Sequence, residues 1–521
     1  MNYIPTIGLE IHAELRTKSK MFCSCANDTD EKKPNVNICP ICLGHPGTLP
    51  VLNKAAIRNV ILVGHAVGGT IADYTEWDRK NYFYPDIPKG YQISQYKYPL
   101  VCGGIMPIAA ASRSKDFFAP LAGRKSFAQR KGGSDGEGIA LTRIHLEEDT
   151  AKSTHGQGKS ADESLVDFNR AGVPLLELVT EPVIHDAETA GAFAREFQLL
   201  LRTLGVAEAN MEKGELRVEA NVSVASEEDT TAGKFGTKTE VKNLNSFRSV
   251  ERAIAFEIQR QTALLEEGEK VVQETRGWDE NAGKTFSQRA KESSHDYRYF
   301  PDPDLPKLVI SEIEEFSADR IKKAMPELPW DKRSRLIQDF GMTGKEAAVF
   351  VEAPAVGAYF ESVARGDVSD KGKNASLARL TINYILSDYI GLIKKDHSED
   401  YESFINTIPP SRFTELMRLV SDKKVSSRGA KDMLLFMYKG DDREPMSIAE
   451  DKGLLQKSDT GELESMAVEI IAKNPSVVAD YKAGKEAALQ FLVGQGMKAS
   501  KGSANPALLK DLFLKLIVYP R

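Results

Sequence analysis

Long apolar runs are missing from this chain of 521 residues. Nothing approaches the ~20 consecutive apolar residues of a membrane span. The N-terminus also lacks the basic-then-apolar layout of a secretory signal, so a cytoplasmic protein is expected. No Gly-x-x-x-x-Gly-Lys-Ser/Thr occurs, which excludes a P-loop as a phosphate cradle. There is no excess of positive charge: the net charge is −6, so any nucleic-acid contact must be local. Cysteine is scarce too, at five residues, but its placement is informative. Four are crowded as Cys23-x-Cys25 and Cys39-x-x-Cys42, with Cys102 apart. Two close thiol pairs separated by a polar loop can each bite one ion, as in a structural tetrathiolate zinc site. Disulfides are the alternative, but they suit small secreted domains better than a long intracellular chain. His45 is a possible substitute ligand.

Three short segments combine strand alternation with carboxylates. In Gly8-Leu-Glu-Ile-His12, a period of two sends Leu9 and Ile11 to one face and Glu10, His12 and Glu14 to the other. In Arg143 to Lys152, Ile144 and Leu146 mark the buried face, opposite Arg143, His145 and Glu147. Val173 to Glu181 places Glu177 and Glu181 on one face beside Leu175 and Val179. Carboxylates with an imidazole suit a hard cation, Mg²⁺ or Mn²⁺, better than zinc. The alternative is three solvated sheet faces that never meet.

The length predicts about three domains at ~150 residues each. Asn53 is placed to cap a helix carrying Ile57, Val60, Ile61 and His65, and Asp186 to cap one carrying Phe193, Phe197, Leu200 and Leu201. Between Asp78 and Gln95, aromatics alternate with Lys, Asn, Gln and Ser, interrupted by prolines; such a loop could stack a base and hold phosphates. Residues 103–138 carry little pattern, save that Arg124, Lys125, Arg130 and Lys131 precede a glycine-rich run, Gly132 to Gly138, that reads as a flexible loop. Glu215 to Val224 is the cleanest strand, with Thr237 to Asn243 as its partner and a helix from Ser249 to Gly268 behind. Proline clusters at Pro301, Pro303 and Pro306, and again at Pro409-Pro410, mark boundaries. The fold class read from this is α+β: a largely antiparallel sheet domain over 1–295, a helical domain over 296–405 and a helical tail over 406–521. Tail stripes are expected at Leu463, Met466, Ala467, Ile470 and Ile471, and at Leu508, Leu509, Leu512 and Leu516. From Tyr481 on, seven positive residues, Lys498 and Lys501 among them, stand against two negative ones. That concentrates basic charge where RNA could dock, and Phe491 to Gly502 leads into the last helix through glycines as an expected basic turn.

Several blocks together carry a family resemblance: Gly8 to His12, Asp78 to Pro85, Arg143 to Lys152, Phe235 to Phe247, Asp296-Tyr-Arg-Tyr-Phe-Pro-Asp302 and Phe491-Leu-Val-Gly-Gln495. In this order they resemble the B-subunit family of glutamyl-tRNA(Gln)/aspartyl-tRNA(Asn) amidotransferases, nearly end to end. The stretch from Tyr96 to Ile139 and the loop from His155 to Ser164 depart from the family pattern. The resemblance implies a cradle-shaped catalytic domain, a helical domain and a tRNA-binding tail that uses Lys498 and Lys501. It implies a heterotrimer with an amidase subunit that releases ammonia and a small wrapping subunit. It further implies ATP-dependent activation of the mischarged side chain of Glu-tRNA(Gln) and/or Asp-tRNA(Asn) as an acyl phosphate. Mg²⁺ would be held by Glu10, His12, Glu148 and Glu177, where strand alternation selects Glu147 and the family match Glu148. Lys80, Asn81, Tyr82 and Lys89 are the implied nucleotide or acyl contacts, with Ser94, Gln95, Lys238, Lys242 and Asn243 behind them. A non-catalytic RNA-binding or assembly subunit is the competing function, and a two-carboxylate glycosidase a third. An adaptor would not need converging carboxylates.

Overall fold

The computed structural model describes residues 2–108, 138–155, 163–290, 297–365, 371–398, 400–456, 460–500 and 504–518. The expected loop at 132–138 and the basic residues Arg124, Lys125, Arg130 and Lys131 lie outside them, wholly or nearly so, as does Lys501. The architecture is α+β. Its frame is a ten-stranded sheet in which all pairings but one are antiparallel.

At the middle of that sheet lies β1 (Tyr3–Glu14), between β5 (Pro174–Thr180) and β6 (Leu216–Ser226). β4 (Gly138–Glu148) pairs with the far edge of β5, and β7 (Thr239–Leu244) with the far edge of β6. The sheet continues past β7 through Glu274–Asp279, the one parallel neighbour, to Lys284–Ala290. The alternation read in the sequence is the alternation observed. Leu9, Ile11, Ile144, Leu146, Leu176 and Leu178 are all at most 1% exposed on one side of the sheet.

Three helices accompany these strands. α1 (Lys54–Ala66) begins where the Asn53 side chain accepts from the amides of Ala55 and Ala56. α2 (Ala187–Thr203) begins at Asp186, which accepts from Thr189 N. Each cap satisfies amides that have no partner inside the helix. α3 (Phe247–Glu266) starts at Ser246, three residues before the expected Ser249. The stripes of α2 and α3, Phe193, Phe197, Leu200, Val250 and Ile254, are fully buried in one core with the sheet.

The segment from Asp78 to Gln95 is a hairpin with a long tip, not only a loop. β2 (Asp78–Asn81) and β3 (Tyr91–Ser94) pair antiparallel, Asp78 opposite Ser94 and Asn81 opposite Tyr91. The chain divides into two compact units, residues 1–332 and 333–521. The boundary expected at 295/296 does not fall there. Phe300–Pro301 adds a strand to β2, and Leu308–Val309 pairs with Tyr74–Thr75, so the prolines punctuate short edge strands.

The second unit is helical. In its tail, Leu463, Ala467 and Ile470 pack with Leu492, Leu509, Phe513 and Ile517. The last helix presents Leu509, Phe513 and Ile517 inward; of the expected stripe Leu509 is fully buried, while Leu512 and Leu516 are half-buried against the same core. Glu486–Ala499 is a continuous helix. Lys498 lies exposed in its last turn, where a glycine-bearing basic turn was expected. Gly496 is there for packing: a Cβ would lie 2.9 Å from Leu509 Cδ1. No single helix among the described residues is long and apolar enough to cross a membrane.

Because Phe197 is fully buried between sheet and helices, Phe197→Ala should cost about 3–5 kcal/mol in the unfolding of the first unit. Urea denaturation followed by tryptophan fluorescence checks this, and a loss below about 1 kcal/mol would contradict the packing.

Candidate active site

The face of the sheet opposite the apolar core collects the polar side chains of β1, β5 and β4. Register sets the meeting: His12 lies opposite Glu177, and Glu177 opposite His145. His12 Nε2 is 3.3 Å from Glu177 Oε2, 3.7 Å from Glu10 Oε1 and 3.7 Å from Glu147 Oε1. His145 Nε2 is 3.2 Å from the same Glu177 oxygen and 4.0 Å from Glu147 Oε2. Arg143 Nη2 stands 3.5 Å from Glu177 Oε1. Two ligand triads can be drawn here, Glu10–His12–Glu177 and His145–Glu147–Glu177, each with its donor atoms within 4.8 Å of one another.

Electrostatics follow from this crowding. Burial pushes the Glu177 carboxyl up, but His145 and His12 outweigh it and hold the group well below the usual carboxylate range. Burial disfavours a charged His12, yet Glu177, Glu147 and Glu10 carry its imidazole up to about 9. Burial and the Glu177 charge raise Glu10.

Of the four implied metal ligands, the structure brings together Glu10, His12 and Glu177. It does not bring Glu148 with them. At the end of β4 that side chain leaves the acidic face, accepts from Ile93 N at 2.9 Å and pairs with Lys89 Nζ. Glu147 takes the place beside His12, as strand alternation requires. Alternation also puts His145 on this face, but gives it no role. Among the described residues, His145 Nδ1 and Glu147 Oε2 are buried without a hydrogen-bond partner. Such orphaned atoms carry a penalty, and a hard cation ligated on this face is the chemistry the donor set suits.

The other candidates divide. Lys80 Nζ lies 5.8 Å from the Tyr82 ring centroid and 5.1 Å from that of Tyr297. Burial opposes its charge, but Glu147, Tyr299, Tyr82 and Glu177 hold the ammonium above the ordinary lysine range. Tyr82 Oη donates to Gln92 Oε1 at 3.1 Å. The Asn81 amide is committed to structure, donating to the carbonyls of Tyr297 and Arg298 at 3.1 and 2.8 Å. Gln95 is likewise structural, accepting from Leu146 N at 3.0 Å, and Ser94 is buried. Lys242 pairs with Glu219 at 2.8 Å, Asn243 donates to Trp278 O at 3.3 Å, and Lys238 is exposed. Glu181 accepts from Thr142 and stands outside the cluster.

The cysteines meet as a separate group. Their four sulfurs lie within 4.8 Å of one another, without His45, a span that surrounds the ~3.8 Å sulfur separations of a tetrahedral zinc thiolate site. Buried Lys20 brings Nζ to 3.9 Å from Cys42 Sγ. Between this knuckle and the sheet is a cavity of about 190 Å³, lined by Phe22, Cys42, Gly44, Lys89, Tyr91 and Glu148 among others. Gly44 has φ +68°, and a Cβ there would stand 2.3 Å from Lys89 Cγ, so the knuckle backbone lies directly on the Lys89 side chain.

Against this geometry, comparison with known proteins is direct. Residues 5–314 match the GatB/GatE catalytic domain and residues 359–517 the GatB domain. These matches make the chain one component of a tRNA amidotransferase, which is a ligase. The chain is 42% identical over 515 residues to the B subunit of the aspartyl/glutamyl-tRNA(Asn/Gln) amidotransferase of Caldicellulosiruptor saccharolyticus, covering 98% of each chain. It is 41% identical over 520 residues to that of Thermomicrobium roseum, covering 100% of each. The same protein from Thermodesulfovibrio yellowstonii is 41% identical over 517 residues, 99% of this chain and 100% of the relative. The chain belongs to the B-subunit family of the aspartyl/glutamyl-tRNA(Asn/Gln) amidotransferases.

Beside the acidic face, Asp149 receives Arg217 Nη2 at 2.5 Å and Arg170 Nε at 3.4 Å. Burial works against its charge, but the two guanidinium groups bring the carboxyl down to about 2. A depressed carboxyl contributes stability that is present above its unfolded pKa of about 3.9 and is lost as pH falls toward 2. Asp149→Asn should thus destabilise the first unit by about 3 kcal/mol at pH 7, because it removes the carboxylate that both arginines meet and leaves Glu14, whose carboxyl burial and Asp149 push up, to face them. Thermal melts at pH 7 and pH 3 check the sign: the gap between variant and wild type should narrow at the lower pH.

Proposed function

We propose that this subunit activates the side-chain carboxylate of Glu-tRNA(Gln) and/or Asp-tRNA(Asn) with ATP, as an acyl phosphate, and directs ammonia onto it. The observation that carries the reading is the convergence of Glu10, Glu147 and Glu177 with His12 and His145 on one buried sheet face. An adaptor subunit would gain nothing from gathering three carboxylates, Glu147 and Glu177 buried and Glu10 half-buried, since burial costs several kcal/mol per ion.

A carboxylate is a poor electrophile toward ammonia at neutral pH. Transfer of the γ-phosphoryl group converts it to an acyl phosphate, whose phosphate then leaves as the amide forms. Glu10, His12, Glu147 and Glu177 would hold Mg²⁺, with His145 beside them. Bound there, the ion supplies charge neutralisation between two anions that must approach. Arg143 and Lys80 add fixed positive charge from the flanks, in place of ordered solvent. Lys89, paired with Glu148, faces the cavity under the cysteine knuckle, which fits a phosphate or carboxylate contact, with Glu148 as its orienting group. Tyr82 offers an aromatic face beside Lys80. The four cysteines would hold a structural zinc that keeps the knuckle closed over Lys89.

Ammonia is taken to come from an amidase subunit, with a small wrapping subunit completing the heterotrimer. The basic tail, Lys498 with Lys501, would hold the tRNA by its phosphates.

In the assembled complex, Glu177→Gln and Glu147→Gln should each lower tRNA-dependent ATP hydrolysis by about a hundred-fold or more, while the partner's glutaminase activity stays measurable. Glu148→Gln should act more mildly and chiefly on KM. Full phosphorylation in Glu147→Gln with none in Glu148→Gln would reverse the ligand assignment, and unchanged ATP turnover in Glu177→Gln would end it.

Metal analysis of the purified chain should find about one zinc, on four-thiolate stoichiometry. Cys39→Ser with Cys42→Ser should release it and lower the melting temperature. Finding no zinc in a fully stable, active protein would make these ordinary thiols.

A further inference from the structure

The tyrosine-rich segment that follows residue 296 has no role in the scheme above, yet it is fastened to the hairpin beside the acidic face at every turn. Phe300 and Pro301 pair with Arg79 and Asp78. The Arg79 guanidinium donates to Asp302 at 2.7 Å and to Asp304 at 3.1 Å, with its plane over Tyr91 at 4.4 Å. Asn81 N donates to the Tyr297 carbonyl at 2.9 Å, and the Asn81 side chain donates to the same carbonyl and to that of Arg298. A strap held at both ends in this way leaves its side chains little freedom.

Two of those side chains, Tyr297 and Tyr299, join an aromatic cluster beside the Lys80 ammonium. The Tyr297 ring is 5.8 Å from Tyr82 and 5.9 Å from Tyr299, edge to face in both cases. Tyr299 is stacked on Tyr96 at 4.1 Å and 6°. Lys80 Nζ lies against the rings of both Tyr297 and Tyr82, within the ~6 Å over which an aryl face attracts an ammonium. The same ammonium is within electrostatic reach of Glu147 and Glu177. Without the rings, a lysine stem of four methylenes would be free to swing onto those carboxylates or out to solvent.

We propose that the strap Tyr297–Asp304 is a positioning element of the active site, in which Tyr297, opposite Tyr82 and braced by the Tyr299–Tyr96 stack, fixes the Lys80 ammonium where an anionic substrate group can meet it. The inference rests on the proposed function for the identity of that anion, but not for the geometry. Tyr297 acts through Lys80 and need not touch substrate. The ring face is what matters, since it is the face that the ammonium meets.

Two measurements test this separately. In the full-length chain, trace acetylation with mass-spectrometric readout reports how freely each lysine amine reacts. Tyr297→Leu should raise the labelling rate of Lys80 about ten-fold, with exposed Lys238 as an unchanged internal control. Tyr297→Phe keeps the ring and should label like wild type. Equal Lys80 labelling in wild type and Tyr297→Leu would overturn the proposal, as would a Phe variant that labels as fast as Leu. In the assembled complex, Tyr297→Leu should lower kcat for tRNA-dependent ATP hydrolysis about ten-fold with little change in KM for ATP, and Phe should recover most of it. Loss of kcat in both variants with Lys80 labelling unchanged would assign the effect to the hydroxyl and reject the ring. If Tyr297→Leu fails to fold, Tyr299→Leu, which removes the brace and a neighbour of the ammonium, should also raise Lys80 labelling, and unchanged labelling there would overturn the proposal. If the complex turns over no ATP at all, the functional reading fails while the labelling result still decides the strap.

Discussion

A carboxylate removed from water must find positive charge or give up its own, and Glu177 is placed so that it need not give it up. It sits on β5 between imidazoles from β1 and β4, with Arg143 at its second oxygen. Glu10 and Glu147 add to the negative charge on the same face, so the two histidines are shared among three acids. The arrangement is tolerable only because the strands are held rigidly from behind, by side chains such as Leu9, Ile11, Ile144 and Leu178 that are almost wholly excluded from solvent. Core and site are thus two sides of the same three strands. A rigid frame is also what a phosphoryl-transfer site needs, since ordering the charges in advance spares their rearrangement during the reaction.

One strand end separates two functions. Glu147 and Glu148 are neighbours in sequence and point to opposite sides of β4. The first joins the acidic face, and the second turns to Lys89 and the cavity beneath the cysteine knuckle. The backbone of Gly44 rests on the Lys89 side chain, which connects the four thiols to that second site through direct packing. A metal that closed the knuckle would thereby limit where Lys89 can go, although it lies outside the acidic cluster.

Much of this was legible in the chain, for identifiable reasons. The alternation of β1, of β4 from Arg143 on and of β5 as far as Val179 is regular, because one side of each is fully buried and a period of two has no ambiguity there; the register shifts only beyond it, between Val179 and Thr180. Helix caps at Asn53 and Asp186 were readable because a capping side chain acts within three residues of itself. Alternation selected Glu147 correctly for the acidic face, and the structure keeps Glu148 away from it. His145 lay on the right face from the start, and only its distance from Glu177 gives it significance. What could not be read was long-range pairing. Nothing local in Phe300-Pro301 announces that it will lie against Asp78-Arg79, so the prolines looked like a domain boundary. Asn81 looked like a ligand contact for the same reason, because its partners are more than 200 residues away. In the tail, the glycines and lysines of Phe491 to Gly502 suggested a basic turn. Packing of Gly496 against Leu509 overrides that propensity and keeps the helix continuous.

The cross-strand row His12–Glu177–His145 has a consequence for how such a chain can change over time. Each of its members comes from a different strand, and the row exists only in one alignment of the three. Adding or deleting a single residue inside β5 would turn its carboxylate into the apolar core and bring Leu176 or Leu178 out to the imidazoles. Even two residues, which would restore the faces, would carry Glu177 about 7 Å along the strand and out of reach of both histidines. Length variation is therefore confined to the connections, such as the stretches on either side of β4, which can grow or shrink without shifting the row. In this fold the strands keep the count, and novelty has to enter through the loops.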